Sequence, residues 1–334
     1  MPKVSVLMPV FNAGQYLAQA IDSILSQTFK DWELILINDG STDNSEAIIG
    51  RYDDERIYYI KNEANLGLIK TLNKGIDYCH GEYIARMDAD DISHPDRFRL
   101  QVSFLDKHPV HVMCGTDATV IDNEGNQTGK IRNLADNDYL QVNLLFSPPL
   151  IHPSVMIRGE MLQHNRYDES YKHVEDYELW TRIAKLGKIA NISKELLKYR
   201  WHNSNVSVLN NEVQEELKDK VIANQLEALG IQPTKEELYY HEITFKLYQL
   251  GNKQDIKEAS TTDISIWFSR LLQHNKIKEV YKQSNLTAYL WSRWIVLCVS
   301  QKKYGKALFP GFKTFDPLVL AKLLKLILFL RKKQ

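Results

Sequence analysis

The sequence predicts an α/β protein: a mostly parallel sheet flanked by helices, with a helical extension at its C-terminal side. Three observations carry this. Short apolar runs alternate with segments of helical periodicity through the first ninety or so residues. The links between them are short, polar and rich in Asn, Asp, Gly and Ser. From Asn211 onward the pattern turns purely helical.

Val4-Ser5-Val6-Leu7-Met8-Pro9-Val10 is a compact apolar run, as a strand buried on both faces requires. The turn Phe11-Asn12-Ala13-Gly14 follows, with Asn12 placed to cap a helix that carries Leu17, Ala20, Ile21, Ile24 and Leu25 at helical spacing. Leu34-Ile35-Leu36-Ile37 is the second strand and stops at Asn38-Asp39-Gly40-Ser41-Thr42-Asp43. A helix through Ala47, Ile48 and Ile49 leads to a third strand, Ile57-Tyr58-Tyr59-Ile60. Asn65-Leu66-Gly67 opens a helix with Leu68, Leu72 and Ile76 inward. Tyr83-Ile84-Ala85-Arg86-Met87 then delivers Asp88, Asp90 and Asp91 to the sheet edge.

Because each polar loop follows a strand, three of them fall at the carboxyl edge of the sheet, where open α/β sheets bind ligands. Three carboxylates at a strand tip repel one another and suit a hard divalent cation such as Mn²⁺ or Mg²⁺. The same stretch also suits a solvated acidic turn before a helix, for which Pro95 is a good first residue. Asp39 can accept hydrogen bonds from a base, or serve an ordinary turn. No Gly-x-Gly-x-x-Gly and no Gly-Lys-Ser/Thr loop is present, which argues against dinucleotide and P-loop enzymes.

Further on, residues 110–114 and 118–121 alternate like two strands, Asn123-Glu124-Gly125-Asn126 reads as a hairpin turn, and residues 140–146 read as a helix broken by Ser147-Pro148-Pro149. Leu179, Trp180, Ile183 and Leu186 give a helical apolar face stopped by Gly187. Glu175 and Asp176 fall in its first turn, where acids favour the helix dipole or, alternatively, a general base can sit. His202 follows a strand and suits a metal ligand, a phosphate contact or a surface position.

The whole chain bounds the class. At 334 residues it can bury a sizeable core, and 42 basic against 42 acidic residues give no net charge, which argues against a general nucleic-acid binder. Three scattered cysteines show neither a disulfide framework nor zinc spacing, as in a reducing cytosol. Met1-Pro2-Lys3 leads directly into a strand, without a secretory leader.

Taken in order, Met8-Pro9-Val10-Phe11-Asn12-Ala13, Ile37-Asn38-Asp39-Gly40-Ser41-Thr42-Asp43, Asn65-Leu66-Gly67, Met87-Asp88-Ala89-Asp90-Asp91, His152-Pro153-Ser154, Glu175-Asp176-Tyr177 and Tyr199-Arg200-Trp201-His202 resemble the family-2 inverting glycosyltransferases of the GT-A fold, the group that builds bacterial surface polysaccharides. The resemblance covers about residues 3–205. It implies that Pro9, Phe11, Asn12 and Asp39 bind the nucleotide, with Asn65 and Lys70 near the base or phosphates. Asp88 and Ala89 would lie on the donor, Asp90 and His202 on Mn²⁺ or Mg²⁺, and Asp91 behind the loop or donor sugar. Asp176 would be the catalytic base with Glu175 beside it, and His152 would line the acceptor side. The donor implied is a UDP-hexose or UDP-N-acetylhexosamine, and the acceptor a glycan or lipid-linked hydroxyl. Two other readings are a sugar-phosphate nucleotidyltransferase, which needs a Gly-rich basic loop after the first strand, and an inactive nucleotide-sugar-binding module.

These readings place a nucleotide-sugar domain at 1–208 and a helical region at 209–334. In the latter, Val213, Leu217, Ile222, Leu226 and Leu229 form one amphipathic face. The last apolar segment, 317–330, is too short and too interrupted by lysine to span a bilayer and ends in Arg331-Lys332-Lys333. It suits a helix lying on an anionic membrane, with Trp291, Trp294, Lys302, Lys303 and Lys306 adding to that surface. A core helix or a dimer contact fits it too. The expected location is the cytoplasm, peripheral on the inner face of the cell membrane.

Overall fold

The structure, a computed structural model, describes residues 1–201, 211–246, 259–308 and 316–331. It divides into two compact units: Met1–Asp136 with Pro149–Gln214, and Asn137–Pro148 with Glu215–Gln334.

The first unit is built on β1 (Val4–Val10), β2 (Trp32–Asn38), β3 (Ile57–Lys61) and β4 (Tyr83–Arg86), parallel and ordered β3-β2-β1-β4. The crossovers are α1 (Leu17–Leu25), α2 (Ser45–Ile49) and α3 (Leu68–Ile76). β1 and β2 are mostly apolar because helices cover both faces, and every residue of β2 is buried, the buried Glu33 accepting from Ser5 Oγ of β1 at 2.5 Å. Past β4 the sheet becomes mixed. β5 (Ile92–Ser93) precedes α4 (Arg97–Lys107), then β6 (His111–Ile121) pairs with β7 (Gln127–Ile131) as a hairpin. β8 (Met156–Arg158) lies antiparallel between β4 and β6, and β9 (Lys188–Arg200) runs parallel to β6 and antiparallel to β5. The short α6 (Gly159–His164) and α7 (Glu175–Ile183) complete this unit.

One detail of register creates the site. β1 stays paired with β2 up to Val10↔Asn38, but its pairing with β4 ends at Leu7↔Arg86. The two strands part there and open a crevice. Pro9 is tolerated because it lies beyond the last β1–β4 pair, so its missing N–H removes no ladder bond on that side.

Several local expectations change. Asn12 caps no helix; α1 starts at Leu17 after Tyr16, and Asn12 takes a left-handed backbone with φ 49°. Its Oδ1 accepts from Thr42 N at 2.9 Å, while its own N donates to Ser41 Oγ at 3.0 Å, so it stitches two site loops together. Pro95 lies outside α4, which Asp96 precedes. Residues 111–121 form one strand rather than two, with register shifts around Asp117. Gly187 is no helix stop: α7 ends at Ile183, and a Cβ at Gly187 would meet Val112 Cγ1 at 2.5 Å, so its role is close packing against β6.

The second unit gathers α5 (Asn137–Leu144) with α8 (Asn211–Ala228), α9 (Lys235–Lys246), α10 (Thr261–Lys278), α11 (Gln283–Ser300), the short α12 (Tyr304–Leu308) and α13 (Pro317–Arg331), α8 beginning just before the division between the units. The helix at 137–144 thus groups with the C-terminal helices, not with the span 1–208 that contains it. Buried His241 stacks on Phe146 at 4.2 Å and accepts at Nδ1 from Trp267 Nε1, which leaves Nε2 to donate to Leu145 O at 2.7 Å. Trp291 and Trp294 add nothing to a surface. Both are buried, donating to Ala307 O and Lys306 O. Val213 faces solvent rather than the apolar face assigned to it. On α13, Val319, Leu323 and Leu326 are buried, whereas Leu318, Leu324 and Leu328 are 54, 61 and 59% exposed. Among the described residues, no helix is long and apolar enough to cross a membrane.

Gly40 sits at the end of the β2 loop with φ +70°, and a Cβ there would lie 2.7 Å from Ala64 C and Asn65 N. Both are backbone atoms that cannot swing aside. Gly40→Ala should therefore cost about 2 kcal/mol or more and lower the melting midpoint by several degrees in a thermal scan. An unchanged midpoint would show that the loop adapts freely.

Candidate active site

The crevice between the parted tips of β1 and β4 is a partly open cavity of about 740 Å³, within the range of small-molecule sites. Pro9, Phe11, Asn12, Asp39, Asn65, Lys70, Asp88, Ala89, Asp90 and Glu175 all line it. These residues span β1 to α7, and the fold brings them into one wall. The loop after β1 is held to the loop after β2 by Gly14 N donating to Asp43 Oδ2 at 2.8 Å and Ala13 N donating to Ser45 Oγ at 3.0 Å, besides the Asn12 contacts.

Asp39 is buried beneath the loop 65–67. Its Oδ1 accepts from Asn62 Nδ2 and Leu66 N, both at 2.8 Å, and its Oδ2 from Gly67 N at 2.9 Å. A carboxylate accepts about four hydrogen bonds, so one acceptor position on Oδ2 remains for a ligand. The carboxylate thus shapes the Asn65-Leu66-Gly67 loop and also faces the cavity. Phe11 is half exposed at the rim, and Lys70 is exposed, 3.8 Å from Glu169.

Asp88, Asp90 and Asp91 each offer an oxygen within 4.8 Å of the others. Asp91 is the buried member. Its Oδ1 accepts from Arg200 N at 2.8 Å, and its Oδ2 is buried with no hydrogen-bond partner. Burial, then repulsion from Asp90 and Asp88, pushes the Asp91 carboxyl well above the usual range. Asp88 is raised too, by burial against the pull of Arg86. Three crowded acids, one with an orphaned oxygen, fit a hard divalent cation. Arg200 secures this loop: Nε donates to Asp90 O at 2.9 Å and Nη2 to Gln19 Oε1 at 2.9 Å. His202, expected beside the metal, lies outside the described residues.

Glu175 and Asp176 occupy the first turn of α7, Glu175 buried and Asp176 half-buried. Tyr177 N donates to Asp176 Oδ1 at 2.7 Å. Burial raises both carboxyls above the ordinary range; the charge of Asp176 adds to the rise at Glu175, and Arg86 opposes it at both. A carboxylate of raised basicity is what proton abstraction near neutral pH requires. His152 bonds Tyr167 Oη through Nε2 at 2.8 Å and meets the edge of Trp180. Burial, then the Arg86 charge, holds the His152 ring well below its usual pKa, so it is neutral.

Two arginines enter the site without a role assigned from sequence. Arg200 stood inside a motif already singled out. Arg86 had its own signal, a cation breaking an otherwise apolar strand two residues before Asp88.

Comparison with known proteins agrees with this geometry. The sequence profile described as "Glycosyl transferase family 2" matches residues 5–163. An uncharacterized glycosyltransferase of Haemophilus influenzae is 36% identical over 248 residues, 69% of this chain and 76% of the relative. The amylovoran biosynthesis glycosyltransferase AmsE of Erwinia amylovora is 33% identical over 201 residues, 59% of this chain and 75% of AmsE. The crystal structure of S. aureus TarS 1–349 in complex with UDP-GlcNAc shares the fold, with a TM-score of 0.59 and 17% identity over 91% of this chain and 90% of that one. Identity at this level across three-quarters of such relatives is a matter of common descent, and the chain belongs to glycosyl transferase family 2, as a glycosyltransferase of GT-A fold.

Proposed function

We propose that this chain is an inverting, metal-dependent hexosyltransferase that moves a sugar from a UDP donor to a hydroxyl of a glycan or lipid-linked acceptor, in the synthesis of a cell-surface polysaccharide. The observation that carries the reading is the meeting, in one crevice, of the Asp39 loop, the Asp88-Ala89-Asp90 acids and Glu175, the neighbour of Asp176 on α7. The UDP and UDP-GlcNAc bound by TarS, and the amylovoran biosynthesis named for AmsE, support the donor and the product class. On this reading residues 1–208 carry the transfer chemistry and 209–334 the contact with acceptor membrane.

Pro9, Phe11, Asn12 and the free acceptor position of Asp39 hold the base, and Asn65 and Lys70 flank it. Asp88 and Ala89 hold the donor, and Asp91, locked by Arg200, supports the loop. Asp90 with its neighbours and His202 would hold Mn²⁺ or Mg²⁺, which when bound neutralises charge on the departing diphosphate. Asp176 takes the proton of the acceptor hydroxyl as its oxygen bonds to the anomeric carbon. The bond from that carbon to the diphosphate breaks on the opposite side, so configuration inverts. Glu175, partly protonated beside it, limits the negative charge at the base. Neutral His152, fixed by Tyr167, lines the acceptor side.

The exposed Leu318, Leu324 and Leu328 on α13, with Lys325 on the same helix and Arg331-Lys332-Lys333 following in sequence, support peripheral contact with an anionic membrane on its cytoplasmic face.

Three outcomes are expected. A panel of UDP-, GDP- and dTDP-sugars with Mn²⁺ should release nucleotide from one UDP-sugar, EDTA should stop it, and Asp176→Asn should reduce it at least ~100-fold with UDP binding retained. Normal turnover in that mutant would remove Asp176 as base. Because the α7 carboxyls are raised, the base protonates at higher pH than usual. The rate should therefore fall with decreasing pH along a limb centred well above the ordinary carboxylate value of about 4; a rate constant down to pH 4.5 would contradict this. Changing Leu318, Leu324 and Leu328 together to Gln leaves the buried face of α13 intact. It should abolish sedimentation with phosphatidylglycerol vesicles while donor hydrolysis persists; undiminished sedimentation would overturn the membrane role.

A further inference from the structure

We propose that Arg86 is a positioning residue for the transfer step: a buried cation that fixes the Asp88 carboxylate on the donor side and supplies counter-charge to the Glu175–Asp176 pair on the base side. The proposal rests on the reading of Asp176 as the base.

The contrast with Arg97, Arg158 and Arg200 makes the case. Arg97 donates from Nη2 to Arg86 O at 2.8 Å and from Nε to Gln101 Oε1 at 3.0 Å. Arg158 donates to His111 O and Leu105 O, both at 2.9 Å. Arg200 donates to Asp90 O and Asp122 O. Each of these ties strands and loops together through backbone carbonyls. Arg86 does not. It is 3% exposed, and among the described residues its side chain reaches only Asp88, through Nη1, and its Nε has no hydrogen-bond partner. A buried guanidinium costs several kcal/mol to desolvate, and a framework role offsets this with saturated hydrogen bonding. An apolar side chain of similar volume would fill the same place on β4 more cheaply. Packing therefore gives no account of Arg86, whereas its charge does.

Its position explains where that charge acts. Arg86 ends β4 where β4 leaves β1, and Asp88 follows two residues later on the same side. Arg86 N donates to Val155 O at 3.0 Å, just past the His152–Ser154 turn, His152 meets the edge of Trp180 on α7, and Asp88 and Glu175 line the same crevice; the Arg86 charge opposes the rise of the Glu175 and Asp176 carboxyls. Asp88, Asp90 and Glu175 line this one crevice, and like charges gathered in one place repel. A fixed cation among them lets Asp88 keep one orientation and leaves the base pair able to ionise, with no rearrangement needed when donor and acceptor arrive.

The test compares Arg86→Gln, Arg86→Met and Arg86→Lys with the unchanged chain, all full length. Steady-state hydrolysis is measured with whichever UDP-sugar the unchanged chain turns over fastest, UDP binding by calorimetry with Mn²⁺, and unfolding by thermal scan. Gln and Met should lower kcat at least ~100-fold while KM and the UDP Kd move less than about fivefold and the melting midpoint does not fall. Lys, which keeps the charge, should recover at least about tenfold of that loss. The proposal is overturned if Gln keeps kcat within threefold, if UDP binding falls in step with kcat, or if Lys is as inactive as Gln. Failure of the underlying reading looks different: Asp176→Asn would then keep its turnover, whereas failure of this proposal alone leaves Asp176→Asn inactive and Arg86→Gln active.

Discussion

The guanidinium of Arg200 is the tie on which the rest of the site depends. Its backbone N–H fixes Asp91, its Nε the carbonyl of Asp90, its Nη1 the carbonyls of Asp122 and Asn123, and its Nη2 the side chain of Gln19. Its plane also lies 4.2 Å from the ring of Tyr16. One side chain therefore joins α1, the acidic loop, the β6–β7 hairpin and the end of β9. The acidic loop needs such an anchor because it cannot hold itself. It leaves β4 with three carboxylates in a row, and neither a ladder nor an apolar face continues through it. A backbone N–H on Asp91 and a charged guanidinium donor on the Asp90 carbonyl replace what secondary structure would otherwise supply.

Around that anchor the crevice is a compromise between burial and charge. The sheet buries β1 and β2 on both faces, which sets a rigid floor. Where β1 and β4 part, that floor ends in polar loops, and the acids there are partly withdrawn from water. Withdrawal raises Asp88, Asp91, Glu175 and Asp176. Such an arrangement is costly for stability and useful for chemistry, since strongly perturbed carboxyls gather where water has been limited. Asp39 is buried as well, and three donors from Asn62, Leu66 and Gly67 make it a strut for the 65–67 loop with one acceptor position to spare.

The family assignment joins this geometry to a reaction without deciding its specificity. The chain shares a third of its residues with such relatives, and the resemblance of fold to TarS extends over nine-tenths of the chain. Which sugar a glycosyltransferase moves depends on side chains that read single hydroxyls. The helical unit, with its outward leucines on α13, is a separate problem in which amphipathic packing, not catalytic geometry, sets the surface.

Periodicity alone was enough to determine the strands and helices from β1 to β4, because runs buried on both faces and one-sided helices leave distinct patterns. The order of the polar loops likewise placed Asp39, Asp88 and Asp90 on one sheet edge, since parallel strands send every following loop to the same side. The tertiary structure decided what local pattern does not encode. Asn12 reads as a cap in isolation but bonds Thr42 across the edge, because the partner lies thirty residues away. Trp291 and Trp294 read as surface anchors beside lysines, yet both indoles turn inward onto carbonyls of the next helix. The segment 137–148 reads as part of the first domain and packs with the second. Arg86 was visible as a charge in an apolar strand, but only the fold shows that it is buried and that its side chain meets Asp88. Long-range charge pairing has no period in sequence, and it is settled when strands distant in the chain become neighbours.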